Sequence, residues 1–552
     1  MKIKLYQFII PISLVLGLAA CQKEFLAPPP NNVTTTDSTV FSNELQARQY
    51  LSNIYNSLPS NQLNTNNGQL ADGCFESEQG IQWSPLQVYN VNAYNGGAGN
   101  VDNAYGTYYP MIRKCNIFAK NEKYMTFTPA NATYFKAENR FLRAFAYFEL
   151  LKRYGGVPLI DSVWIYDAED IKPEFRMELK RASFDATVKF ILKDLDYAAA
   201  NLPWIWPNAN TDFGRASKSI CMAMKSRLLL YAASPLFNAN QAHVSDPNCP
   251  DSLFKYPTYD AQRWKLAMDA AKAFIDANNT EALKYALYAN YGDMFITVRG
   301  NANNKEVIFS NARQVAGPSQ SNPTLNLVDM YDMTNGKPIT DPTSGYNEQE
   351  PYKNRDPRLL QTILTNGVSW AGRTFEPFIN GGQDYNGDRT ITGMLQKKYV
   401  GITAQNQGAS RFIFYRLAEI YLNYAEAQNE FESGPNTNSY TYVNLVRTRA
   451  GMPAFPTGLS KADFAAKLKK ERIIEFAFEE TNLFDERRWL MAETLDAGNF
   501  YGFKINKNTN GTFSYTRFVF EKRGFLKRFY LYPIPEQEIF KSPKLKQNPG
   551  WF

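Results

Sequence analysis

"YFKAENRFLRAFAYFELLKRYGGVPLI", residues 134–160, decides the fold class. Phe141, Leu142, Phe145 and Phe148 recur at one-, four- and seven-residue offsets, which gathers them on one stripe of an α-helix. The helix has a stop signal as well. Gly155-Gly156 offers the backbone conformation that side chains disfavour, and Pro158 removes a donor, so the helix ends near Tyr154.

The same pattern repeats along the chain. "SFDATVKFILKDLDYAAANLP" (183–203) carries Ser183 as an N-cap and Val188, Ile191, Leu192 and Leu195 at helical spacing. Helices are also predicted in 219–233, 261–277, 414–431, 439–451 and 460–480, the last opening on a Ser460-x-x-Asp463 capping signal. The centres of successive helices hint at a degenerate helical repeat without a fixed signature. Between them lie stretches with little helix signal: 61–110, 205–218, 236–258, 311–395 and 500–530. Long irregular connections in a compact protein commonly carry function.

Composition narrows the class. With 44% hydrophobic and 20% charged residues in 552, the chain reads as a large globular body. Its net charge of +7 is small and interleaved with acids, which argues against a phosphate-tracking surface and hence against nucleic acid. Cys74, Cys115, Cys221 and Cys249 form no C-x-x-C pair, so a thiolate zinc site is not expected and no disulfide is predicted; Cys115 and Cys221 sit in apolar helical contexts as small hydrophobes. The single histidine, His243, falls in the polar loop "NQAHVSDPN" and is expected to face solvent.

The N-terminus is a separate unit. Lys2 and Lys4 precede an apolar run, Phe8 to Leu18, too short to span a bilayer, and the run ends on Leu18-Ala19-Ala20-Cys21. Residues 1–20 therefore read as a cleaved export signal, 21–40 as a Pro-, Asn- and Thr-rich tether, and 41–552 as the folded body. The Leu-Ala-Ala-Cys ending resembles a bacterial lipobox, which implies that Cys21 carries the lipid; Lys23-Glu24 resembles the tag of surface-exposed lipoproteins of the Bacteroidetes.

Ordered landmarks then define a resemblance. After the lipobox come "NIYNSL", the 134–160 segment, "GRASKSICMAMKSRLLLYAA", "YKNRDPRL", "FYRLAEIYLNYAEAQNE", "VNLVRTRAGMP", "ERIIEFAFEETNLFDERRW", "YLYPIPEQEI" and "LKQNPGWF". This series resembles the SusD/RagB family of outer-membrane lipoproteins along nearly the whole chain. The resemblance implies a mainly α, SusD-like fold with tetratricopeptide-like helix pairs as scaffold and long irregular loops on the ligand face. It also implies no catalysis. The expected role is capture of an oligosaccharide and its delivery to a SusC-like TonB-dependent transporter at the outer membrane; a peptide-binding member of the same family, or less readily a surface glycosidase, is the alternative. Arg143, Arg153, Glu426, Arg447, Arg449, Glu471, Arg472, Asp485 and Arg488, on or beside the helices, are read as scaffold ion pairs.

A ligand face is sought where charge is missing. The 64 residues between Arg48 and Arg113 contain no Lys or Arg but eleven Asn, six Gln, seven Tyr and Trp83. Aromatic faces suit the C–H faces of a sugar, and amides suit its hydroxyls without a charge to desolvate. Trp83, Tyr89, Tyr94 and Tyr105, with Asp72, Asn92 and Asn95, are the candidates; Trp370 in "TNGVSWAGRTF" is an outlying one. Finally, Asp384, Asn386 and Asp388 alternate in "GGQDYNGDRTITG" like calcium-loop ligands, although the sixth-position glycine and twelfth-position glutamate are lacking. A structural calcium and a plain Asn-Gly turn both fit that spacing. No other cofactor is expected.

Overall fold

A computed structural model describes residues 36–59, 69–79, 86–97, 102–163, 179–208, 211–297, 304–314, 321–387, 390–400 and 411–551. The body begins earlier than expected: Thr36 and Thr39 cap each other's backbone, which starts α1 (Asp37–Ser42) and carries Phe41 into the core against Phe118. Residues 36–40 thus belong to the fold, because the threonines that read as tether composition form a capping box. Next come α2 (Glu44–Tyr55), α3 (Ala104–Asn121) and α4 (Pro129–Tyr154). Pro129 stands at the first helical position of α4, where its missing donor has no cost, so the helix starts well before the apolar stripe. Its end is where the sequence placed it. Gly155 has φ +75°, and a Cβ on Gly156 would lie 2.2 Å from the Ala182 carbonyl, so the chain turns against the next helix only with glycine there.

The helical scaffold continues with α5 (Phe184–Asn201), α6 (Lys218–Ala233) and α7 (Gln262–Thr280), each packed on its predecessor. Ser183 caps α5 through the Ala186 amide at 3.1 Å. After an intervening segment the series resumes: α8 (Leu417–Phe431) packs on α7 and α6, and α9 (Thr437–Arg449) and α10 (Lys461–Glu475) pack on α8. A short helix, α11 (Asn482–Arg488), follows α10. The neighbour-to-neighbour packing matches the helix-pair scaffold that the landmarks imply.

Strands interrupt this scaffold in short pairs. β1 (Ser77–Gln79) runs antiparallel to β3 (Ser321–Pro323), β2 (Val307–Gln314) to β4 (Arg411–Arg416), and β5 (Gly498–Lys507) to β6 (Phe513–Arg523). Two expectations change here. Phe414 to Arg416 belong to β4 rather than to the following helix, and much of the helix-poor 500–530 is a hairpin that buries Phe500, Phe503 and Ile505.

Buried ion pairs hold the layers in register. Arg143 on α4 grips Asp194 on α5 with two bonds of 2.7 and 2.8 Å, and Arg227 on α6 holds Glu419 on α8 at 2.5 Å. Arg416, fully buried, reaches Glu306, Glu475 and Glu479. Arg488 and the Trp489 indole both donate to Glu426. Burial alone pushes the Glu426 carboxyl up, but Arg488 and Arg472 outweigh it and hold it at about 2. The landmark charges therefore serve the scaffold, since breaking one partner would strand a buried charge.

The four described cysteines are free and buried. His243 is a correction: it does not face solvent but packs edge-on between Phe254 and Tyr530, with both ring nitrogens sealed from water and without a hydrogen-bond partner among the described residues. A polar loop can still turn one flat ring inward when two aromatic faces receive it.

Candidate functional site

A cleft of about 290 Å³ opens where α2, α4, the 211–215 turn and β2 meet. On α2, Arg48, Leu51, Ser52 and Tyr55 fall at i, i+3, i+4 and i+7, so one face of the helix forms a wall. Phe135 and Glu138 of α4 make the floor, while Phe213, Gly214, Arg215 and Asn311 close the far side. The 211–215 turn depends on Gly214, whose φ is +83°.

The polar floor is organised by one carboxylate. Glu138 accepts the Tyr55 hydroxyl at 2.6 Å and Arg215 at 2.5 Å, and Arg215 also reaches Asp212 at 2.7 Å. The Arg215 guanidinium lies 3.7 Å above the Trp206 ring, and Trp206 is itself fixed by its indole bond to the Ala216 carbonyl. Burial raises the Glu138 carboxyl above the usual range, and its bonds from Arg215 and Tyr55 pull it back only in part. Burial and then Glu138 push the Tyr55 phenol well up. The charges of the floor are thus satisfied by one another. What the cleft offers a ligand is the half-buried ring of Phe213, backed by the buried side chains of Leu51, Leu58 and Phe135, beside the uncharged polar groups of Ser52, Asn56, Thr211 and Asn311, with Arg48 on an exposed edge.

The cleft borders several loop ends. Asn311 donates to the Pro59 carbonyl at 2.5 Å, Arg411 donates to the Asn311 carbonyl at 3.4 Å, and the Arg411 guanidinium stands 5.2 Å from the Phe213 ring. β2 and β4 also end together, Gln314 opposite Arg411.

The sequence candidates fall elsewhere. Trp83, Asp388 and Cys21 lie outside the described residues. Tyr94, 2% exposed, is a core residue ringed by Phe529, Tyr532 and Trp551; Tyr105, 7% exposed, packs against Tyr109 and Tyr154. Neither presents a face to a ligand, because in this aromatic-rich body ring burial stabilises more than ring display. Tyr89 stacks on Tyr94 with centroids 4.9 Å apart, which occupies one of its faces. Asp72 is fully buried and ties its own loop together, accepting from the Gln69 amide, Ser77 and Ser321. Asn92 supplies a turn at φ 57°, and the exposed Asn95 caps Gly97. Trp370 stands half-buried in a small hairpin, Ser369–Trp370 against Arg373–Thr374, and lines no part of the cleft.

In the calcium-like loop, Asp384 is engaged by protein groups. Asp384 takes a two-pronged bond from Arg373 at 2.7 and 2.5 Å and a third from the Glu376 amide, and this pairing holds its carboxyl below the usual range. Thr390 donates to the backbone oxygens of Asp384 and Asn386, closing the turn. Among the described residues no three His, Cys, Asp or Glu side chains gather as a metal site, and no described helix is long and apolar enough to cross a membrane. Phe213 and Asn311 escaped the sequence reading; their only signal was membership of the helix-poor stretches 205–218 and 311–395.

Comparison with known proteins agrees with this architecture. Residues 276–551 match the family described as "SusD family", and residues 25–230 match "Starch-binding associating with outer membrane". A curated relative, SusD-like protein P2 of Formosa agariphila, is 24% identical over 441 residues, covering 75% of this chain and 74% of its own. The crystal structure of a SusD-like protein from Bacteroides fragilis superposes with a TM-score of 0.73 at 25% identity, over 94% of this chain and 99% of that one. A laminarin-binding SusD-like protein superposes with a TM-score of 0.61 at 20% identity, over 93% and 100%. With one family description spanning half of the chain and a second spanning much of the rest, the chain belongs to the SusD family.

Proposed function

We propose that this chain is a surface lipoprotein that captures a neutral oligosaccharide in the α2–α4 cleft and passes it to a TonB-dependent outer-membrane transporter. The observation that carries the reading is the pairing of apolar surface with uncharged hydrogen-bonding groups in one cleft whose floor charges are neutralised internally. A sugar has the complementary two surfaces, apolar C–H faces and a rim of hydroxyls. The laminarin ligand of one structural relative and the starch-binding wording of one family description support this class. Cys21 supplies the lipid anchor in this reading, and the channel comes from a separate protein.

Titration calorimetry against neutral oligosaccharides, uronate-bearing oligosaccharides and peptides tests the proposal. Binding of a neutral oligosaccharide without its hydrolysis is the expected result. Binding confined to peptides, or turnover of the sugar, would overturn it. Mild detergent extraction is expected to bring down a large β-barrel protein with the lipoprotein.

A further inference from the structure

Asn311 is anomalous in this cleft. It is only 4% exposed, it lines the cavity, and its side-chain oxygen has no hydrogen-bond partner among the described residues. The orientation of the amide is fixed by its other end: Nδ2 donates to the Pro59 carbonyl, which can only accept, so a flipped amide would set two acceptors against each other. Oδ1 is therefore the atom left unpaired. Several other described Asn side-chain oxygens are also buried and unpaired, but among the described residues lining this cleft Asn311 alone leaves a buried side-chain acceptor open to a donor from outside.

We infer that Asn311 is the specificity-determining contact of the cleft, its Oδ1 accepting one hydroxyl of a sugar whose apolar face lies on Phe213. This rests on the glycan-binding reading above and adds the atom that selects the ligand. The surroundings favour a hydroxyl over other partners. A carboxylate or sulfate brings only acceptors to Oδ1, and an ether oxygen or methyl group leaves Oδ1 unpaired. A site built to pair with a hydroxyl rejects the analogue that lacks it far more strongly than an apolar pocket rejects an extra methylene. Phe213 is suited to the second role because it is half-buried, sits on a Gly214 turn and lines the same cavity. The cleft volume lies at the lower end of small-molecule sites, roughly 300 to 1,000 Å³, so it takes the end of a chain rather than a long stretch of one.

The test uses residues 22–552 and a panel of neutral oligosaccharides, including maltoheptaose and laminariheptaose, each beside its per-O-methylated form, which keeps the ring faces and loses every donor. Wild type is expected to bind a native sugar at least tenfold more tightly than its methylated form. Asn311→Leu should weaken the native sugar tenfold or more and collapse that ratio towards one; Phe213→Ala should weaken both forms and keep the ratio. A merely structural Asn311 would lower the melting temperature and leave the ratio unchanged, which overturns the inference while glycan binding stands. Failure of wild type to bind any neutral sugar in the panel overturns both.

Discussion

The single histidine allows a stability contribution to be isolated by pH. Between Phe254 and Tyr530, burial lowers His243 from an ordinary value of 6.5 to about 4; Asp251 opposes the shift, while Lys527 and Lys255 add to it. The folded state thus resists the proton that the unfolded state accepts. Full stability is present above pH 6.5 and is lost as the pH falls towards 4, reaching a limit of about 3 kcal/mol. Between pH 7 and pH 5 the loss amounts to roughly 2 kcal/mol by the same linkage. Carboxylates titrate over part of this range, so the measurement is a difference. His243→Phe keeps the ring packing and removes the proton site, and urea unfolding of both chains at the two pH values should show the variant gaining roughly 2 kcal/mol on wild type as the medium is acidified. NMR observes the one imidazole directly. A folded-state midpoint at or above 6, or a wild-type-to-variant difference that does not change with pH, would refute the burial argument.

Other outcomes follow from the same packing. Tyr94→Ala should cost about 3 to 5 kcal/mol of stability through the cavity it leaves, measured by urea unfolding, while the residual folded protein keeps its sugar affinity. Glu76 is fully buried, and burial raises its carboxyl to about 8 against the bonds it accepts from Asn482 and Phe478. Its stabilising contribution is present below pH 4.5 and is lost as the pH rises to 8, so Glu76→Gln should overtake wild type in urea unfolding at pH 8.5 by an amount on the order of 4 kcal/mol. Cys21→Ala should abolish labelling by radioactive palmitate and release the chain from the membrane fraction.

The scaffold was legible because helices announce themselves locally. Ser183 and Ser460 cap where the capping rule places them, and Gly155 ends α4 where a positive φ is needed. Boundaries failed where local and long-range signals disagree: Phe414 and Tyr415 continue an apolar run into α8, yet pairing with β2 makes them strand. The site was less legible. Tyr94 and Tyr105 share their composition with a binding loop, and only the packing of Trp551, Tyr532 and Tyr154, distant in sequence, consigns them to the core. Phe213 and Asn311 stand about a hundred residues apart in stretches without periodicity, and Asn311 becomes conspicuous only once Pro59 is seen to hold its nitrogen.

The most direct test of glycan capture is a crystal structure of the chain with the tightest-binding oligosaccharide of the calorimetric panel. The account predicts a sugar ring lying on Phe213 with a hydroxyl within about 3 Å of Asn311 Oδ1. A sugar seated on Trp370 or another surface, with the α2–α4 cleft holding none, would contradict it.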